Sequence, residues 1–98
     1  MRQIEYHIGA RFDVLEIVEY YERAGGVTAA DRFVSELRQH IEYLAERPES
    51  YPEHAGIRRA NIRRFPYHIL FRVLDDEAIK ILAIKHDRRH PSFAKERR

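Results

Sequence analysis

The chain has 98 residues, 44% hydrophobic and 35% charged, with no cysteine and a formal net charge of +2. This supports one modest core and a single domain, 1–98, and leaves no room for a catalytic domain plus a regulatory one. Lack of cysteine excludes a disulfide framework and a thiolate metal site; with no apolar run of signal-peptide or membrane-span length, the expected compartment is the cytoplasm and no membrane partner is expected.

In chain order, a short extended start, Gln3 to Ile8, precedes "ARFDVLEIVEYYERA". There Val14, Ile17, Val18 and Tyr21 recur at helical spacing, with Asp13, Glu16, Glu19 and Glu22 read as the opposite, acidic side. Tyr21 is therefore expected in the core. Gly25 and Gly26 end this helix; lacking a preceding strand and a third glycine, they read as a turn and not a phosphate loop. A second helix carries Ala30, Phe33, Val34, Leu37, Ile41, Leu44 and Ala45 as one apolar stripe, opens on Thr28 with Asp31 three residues on, and stops at Pro48. The short connection "GGVTAA" predicts an antiparallel helical hairpin.

"RPESYPEHAG" reads as a loop, after which the hydrophobic period changes from near 3.6 to 2. Ile57 to Arg64 is a basic strand candidate. In Tyr67 to Val73, residues Tyr67, Ile69, Phe71 and Val73 share one face and His68, Leu70 and Arg72 the other. "LDDEA" makes a tight turn, and Ile79 to His86 returns. The predicted class is α+β: a small antiparallel sheet with an N-terminal helical hairpin packed on it, in the order β-α-α-β-β-β.

Charge is segregated along the chain: residues 1–55 carry −5 and residues 56–98 carry +7. The C-terminal half is the one that attracts an anionic partner. Two clusters stand out in it. Arg58, Arg59, Arg63 and Arg64 form a candidate anion-contact strand, and 88–98 is a basic tail in which Arg88, Arg89, Lys95 and Arg97 surround Phe93 as a candidate target-binding segment. His86 and His90 are too irregularly placed, with Pro91 following, for a helical metal pair; no metal and no cofactor are expected.

These segments together carry a resemblance. "ARFDVLEIVEYYE", the helix ending at Pro48, "IRRFPYHILFRVLDDEAIKILAIKHDRRHP" and the basic aromatic tail resemble the RelE/ParE superfamily of toxins from type II toxin-antitoxin modules, which includes plasmid stabilisation proteins. The resemblance spans nearly the whole chain. It implies a cognate antitoxin as partner, and admits a homodimer or a larger toxin-antitoxin assembly.

Two branches of that superfamily differ in chemistry. RelE-like members cleave messenger RNA on the ribosome, which requires a base, cations for the phosphate and an acid. ParE-like members block DNA gyrase by binding it, which requires a complementary surface. By resemblance, the cation after the RelE strand-opening tyrosine falls on His68, a lysine of the preceding strand on Asn61, the terminal tyrosine near Phe93 and Ala94, and an arginine is retained as Arg88. Asparagine cannot neutralise a phosphate and phenylalanine cannot transfer a proton. The expectation is therefore a ParE-like, gyrase-binding toxin with no catalytic residues. The alternative is a RelE-like endoribonuclease acting on ribosome and mRNA, its chemistry rebuilt from His86, Arg88 and Arg64. A further alternative is a degenerate, non-toxic antitoxin-binding component. Removal of the tail from Ser92 onward is expected to leave the core largely intact.

Overall fold

The computed structural model describes residues 2–88 and Arg97. Strand β1 (Gln3–Tyr6) leads into a helical stretch, α1 (Ile8–Glu46), whose first turn is capped by His7: its Nδ1 accepts the Gly9 N–H at 2.9 Å. Helix formation thus begins at Ile8, the last residue of the expected strand, and β1 ends two residues early. As one straight rod, 39 residues would extend roughly 58 Å, well beyond the 38 Å longest dimension of the molecule. The stretch breaks at Gly26, where φ is 81° and ψ is −177°, a conformation that residues bearing a Cβ rarely adopt. One residue therefore reverses the chain, and most of the expected "GGVTAA" connection is helical. The two arms, 8–25 and 27–46, fold back on each other, with Tyr21 of the first stacked on Phe33 of the second at 5.7 Å.

The second arm ends where Pro48, which lacks an N–H, opens a 3-10 turn (Pro48–Ser50). The following loop contains a strand that periodicity could not reveal, β2 (Glu53–His54), paired with β3 (Ile57–Asn61). Ala55 and Gly56, both at positive φ (52° and 81°), form the two-residue reversal between them, the backbone required of a type I′ hairpin turn. Strands β4 (Tyr67–Asp75) and β5 (Ala78–His86) are longer than expected and meet at a tight turn closed by Asp75 Oδ1, which accepts the Glu77 N–H at 2.7 Å.

The sheet order is β1-β5-β4-β3-β2. Pairing is antiparallel except at the β1 edge, where β1 runs parallel to β5 with Ile4 beside Ile79. The sheet is thus mixed, where sequence reading had it antiparallel throughout. The hairpin packs Phe33, Leu37, Ile41 and Leu44 onto one face, against Ile69, Phe71, Ile79, Ile81 and Ile84. Burying each of these large side chains contributes roughly 1.5–3 kcal/mol relative to leaving it exposed. A register shift lets Leu70 face Ala83 and Phe71 face Ile81, so Leu82 is the extra residue of a bulge. That places Leu82 and Ala83 together with Leu70 and Ile57 in a second buried cluster, distinct from the main core.

Candidate functional site

The C-terminal ends of β3 and β5 and the start of β4 lie at one end of the sheet, where Asn61 pairs with His68 and Tyr67 with His86. The turn between β3 and β4 is tied on three sides. Ile62 N–H donates to Tyr67 O (2.9 Å), Asp87 N–H to Pro66 O (2.9 Å), and Arg63 N–H to His40 Nε2 of the second helical arm (2.9 Å). Arg64, at φ 71°, holds a left-handed conformation unusual for a residue with a side chain. Strand β3 accordingly ends at Asn61, three residues before its expected end.

The four arginines of the candidate anion-contact strand separate into two pairs. Arg58 is spent on the Tyr51 carbonyl (2.7 Å) and Glu53 (3.6 Å), and Arg59 on Asn61 Oδ1 (3.0 Å) and Asp87 (3.7 Å). Arg63 and Arg64 are exposed beside the helical hairpin. Arg88 is also exposed, and its N–H donates to Nδ1 of the exposed His86 at 3.2 Å. The His86 ring stands edge-on to Tyr67, 5.4 Å between centroids. Arg89, Phe93 and Lys95 lie outside the described residues.

His68 is fully buried, in a position that alternation alone assigns to the face away from the core. Its Nδ1 lies 3.1 Å from Asp87 Oδ1, so the neutral ring carries its proton there and Nε2 is left buried without a partner. Burial depresses its pKa below the ordinary imidazole value, assisted by the positive charge of Arg59 and opposed by the Asp87 hydrogen bond. His7 is shifted in the same direction, by burial and then by Arg97. A depressed folded pKa means that the unfolded chain takes up protons first as pH falls through about 6.5. Stability should therefore be full above that pH and decline below it until His68 itself protonates. Thermal melts between neutral and mildly acidic pH should show this slope, flattened in His68→Phe; an unchanged slope in that variant would remove His68 as its source.

Sequence reading placed Asp13 on the acidic outer side of the first arm. The structure corrects this: Asp13 is 5% exposed, lying between Ala10 and Ile17 on the buried side. Its carboxylate accepts the Ile84 N–H (3.1 Å), Lys85 Nζ (2.8 Å) and Arg97 Nη1 (2.7 Å). Arg97 also donates to the Leu82 carbonyl at 3.1 Å, and a Cβ on Gly9 would come within 2.6 Å of its guanidinium carbon. Arg97 is therefore anchored on the folded body. The available signal was positional: an acid three residues after Ala10 and four before Ile17 shares their face.

A separate apolar groove runs between β1 and the two helical arms, about 700 Å³ in volume. Ile4, Val14, Leu15, Val34, Leu37 and Ile41 form its walls, with Arg11, Arg38 and Glu42 on its margin. Ile8, Phe12 and Leu15 add an exposed apolar row on the first arm. Among the described residues no helix is long and apolar enough to cross a membrane.

The molecule is thus a helical hairpin laid across a small sheet, with an apolar groove on one side, and comparison with known proteins places it among the toxins of type II toxin-antitoxin modules. Residues 4–91 match the family model described as the ParE toxin of the type II toxin-antitoxin system, parDE, and the chain belongs to that family. Among solved structures, one titled as the chromosomal ParDE TA system from P. aeruginosa superposes with a TM-score of 0.76 at 23% identity, covering 88% of this chain and 96% of that one. At that identity the likeness is one of fold. No curated protein matches the sequence significantly.

Proposed function

We propose that this ParE-family toxin acts in the cytoplasm by binding DNA gyrase, without cleaving nucleic acid itself. The observation supporting the reading is the state of two of the three positions where RelE-like nucleases carry cations, the third being retained as Arg88. One is Asn61, whose side-chain oxygen accepts from Arg59, and the other is His68, fully buried and tied to Asp87. Neither offers a charge to a substrate phosphate. Contact with gyrase is assigned to Arg88, Arg89, Phe93 and Lys95, while Arg97, bonded to Asp13, serves as an anchor for the tail. The cognate antitoxin is assigned the apolar groove: a segment that folds on binding can fill it and cover the row of Ile8, Phe12 and Leu15.

The test compares supercoiling inhibition and ribosome-dependent messenger cleavage for the intact chain, a truncation from Ser92, Phe93→Ala and His86→Ala. Phe93→Ala should weaken supercoiling inhibition roughly tenfold, as expected for an aromatic anchor, and the truncation should abolish it. His86→Ala should leave inhibition intact. Because the truncation also removes Arg97, its melting temperature should fall, which revises the expectation of an undisturbed core; Phe93→Ala isolates contact from anchoring. Messenger cleavage lost in His86→Ala would establish the nuclease reading instead. Antitoxin binding with neither activity would establish a non-toxic component.

A further inference from the structure

Arg32 on the second helical arm and Arg63 and Arg64 in the turn after β3 line a common concavity of about 660 Å³. They come from two distant stretches of sequence, so no linear pattern joins them. Among the described residues, their guanidinium groups have no hydrogen-bond or ion-pair partner. Several arginines elsewhere are occupied: Arg2 on the Ala45 carbonyl, Arg58 and Arg59 on carboxylates, Arg11 and Arg47 over tyrosine rings. Here three cations face a single carboxylate, Glu36.

The site is also held in shape before any ligand arrives. Arg63 is fixed through its backbone to His40 at 2.9 Å, and Arg64 is kept at φ 71°. Phe65, on the rim, is locked edge-on against Tyr21 and Phe33, both at 5.4 Å between centroids. A strained residue persists only where its surroundings over-determine it, and rigid presentation reduces the ordering cost of binding. Ser35 and Gln39 supply neutral hydrogen-bond donors between the cations.

We propose that this concavity binds the phosphodiester backbone of a nucleic acid. Planar guanidinium forks match phosphate oxygens bidentately. A protein partner is disfavoured by the lining, which is polar apart from Phe65, because protein interfaces are built around a buried apolar centre whereas backbone binding is carried by charge. The inference does not depend on gyrase being the target, since it concerns contact between this chain alone and nucleic acid.

The experiment measures fluorescence anisotropy of a labelled DNA duplex and its single strand with the full-length toxin, across a salt series. Binding should weaken linearly with the logarithm of salt concentration. Each of Arg32→Ala, Arg63→Ala and Arg64→Ala should make that slope shallower by about 0.7–0.9, the release expected for one phosphate contact. Arg58→Ala, already paired internally, should leave it unchanged. Arg64→Gly provides the control for folding: it relieves the positive φ while removing the cation, so affinity should fall without loss of thermal stability. The proposal is overturned if neither nucleic acid binds, if the three substitutions leave the slope unaltered, or if poly-glutamate displaces the oligonucleotide as well as unlabelled DNA does, which would assign the pocket to an acidic protein segment.

Discussion

Asp13→Ala should destabilise the protein by about 3 kcal/mol, among the largest effects expected of any single polar change in this chain. The carboxylate is buried and receives three donors, one of them the Ile84 N–H within β5. Removing it strands that backbone donor and takes one acceptor from each of Lys85 and Arg97. Loss of a buried ion-pair partner typically costs 3–5 kcal/mol; the lower end applies because Lys85 and Arg97 keep side-chain exposures of 17% and 21%. For a domain of this size each kcal/mol shifts the melting temperature by about 4–8 °C, so the change should be roughly 12–24 °C. Asp13→Asn keeps an acceptor for Ile84 and should cost about half as much. Chemical denaturation of both variants decides the matter, and a loss below about 1 kcal/mol for Asp13→Ala, the worth of one ordinary hydrogen bond, would show that the network contributes little.

Phe33→Ala should cost about 3–5 kcal/mol, the range for emptying a packed aromatic site. Phe33 is fully buried and packs on three rings, Tyr21 at 5.7 Å, Phe65 at 5.4 Å and Tyr67 at 5.7 Å. These rings link both helical arms to the turn carrying Arg63 and Arg64. The cavity should therefore loosen the arginine turn as well as the core, and hydrogen exchange at Arg63, whose N–H is held by His40, should accelerate more than at β1. Tyr20→Ala provides the contrast. Tyr20 is exposed and its ring meets Tyr21 edge-on, so its loss should stay within about 1 kcal/mol. Comparable losses for Phe33→Ala and Tyr20→Ala would show that the ring cluster is not the hub of the fold.

The sequence by itself determined most of the elements and, for the second helical arm and β4, the side that faces the core. The stripe from Ala30 to Ala45 lies in the core as its 3.6-residue spacing requires, Pro48 ends the helix because it has no N–H to donate, and Tyr67, Ile69, Phe71 and Val73 share the helix-facing side of β4. The family motifs were legible for the same reason: they are local strings, and residues 4–91 match as a unit. Only the tertiary structure decided which distant groups meet. Periodicity puts Asp13 on the face of Ala10 and Ile17 but could not name Lys85 and Arg97 as its partners, because those donors arrive from a strand end and a residue far along the chain. Nor could it show that β1 would run parallel to β5, that a bulge at Leu82 would turn two successive residues away from the main core, or that Arg32 would join Arg63 and Arg64 while Arg58 and Arg59 were consumed by neighbours. Side-chain direction along an element repeats with the backbone and is written locally; the charge and hydrogen-bond partners of a buried or clustered polar group are set by chain reversal, and here much of that reversal rests on one glycine, Gly26.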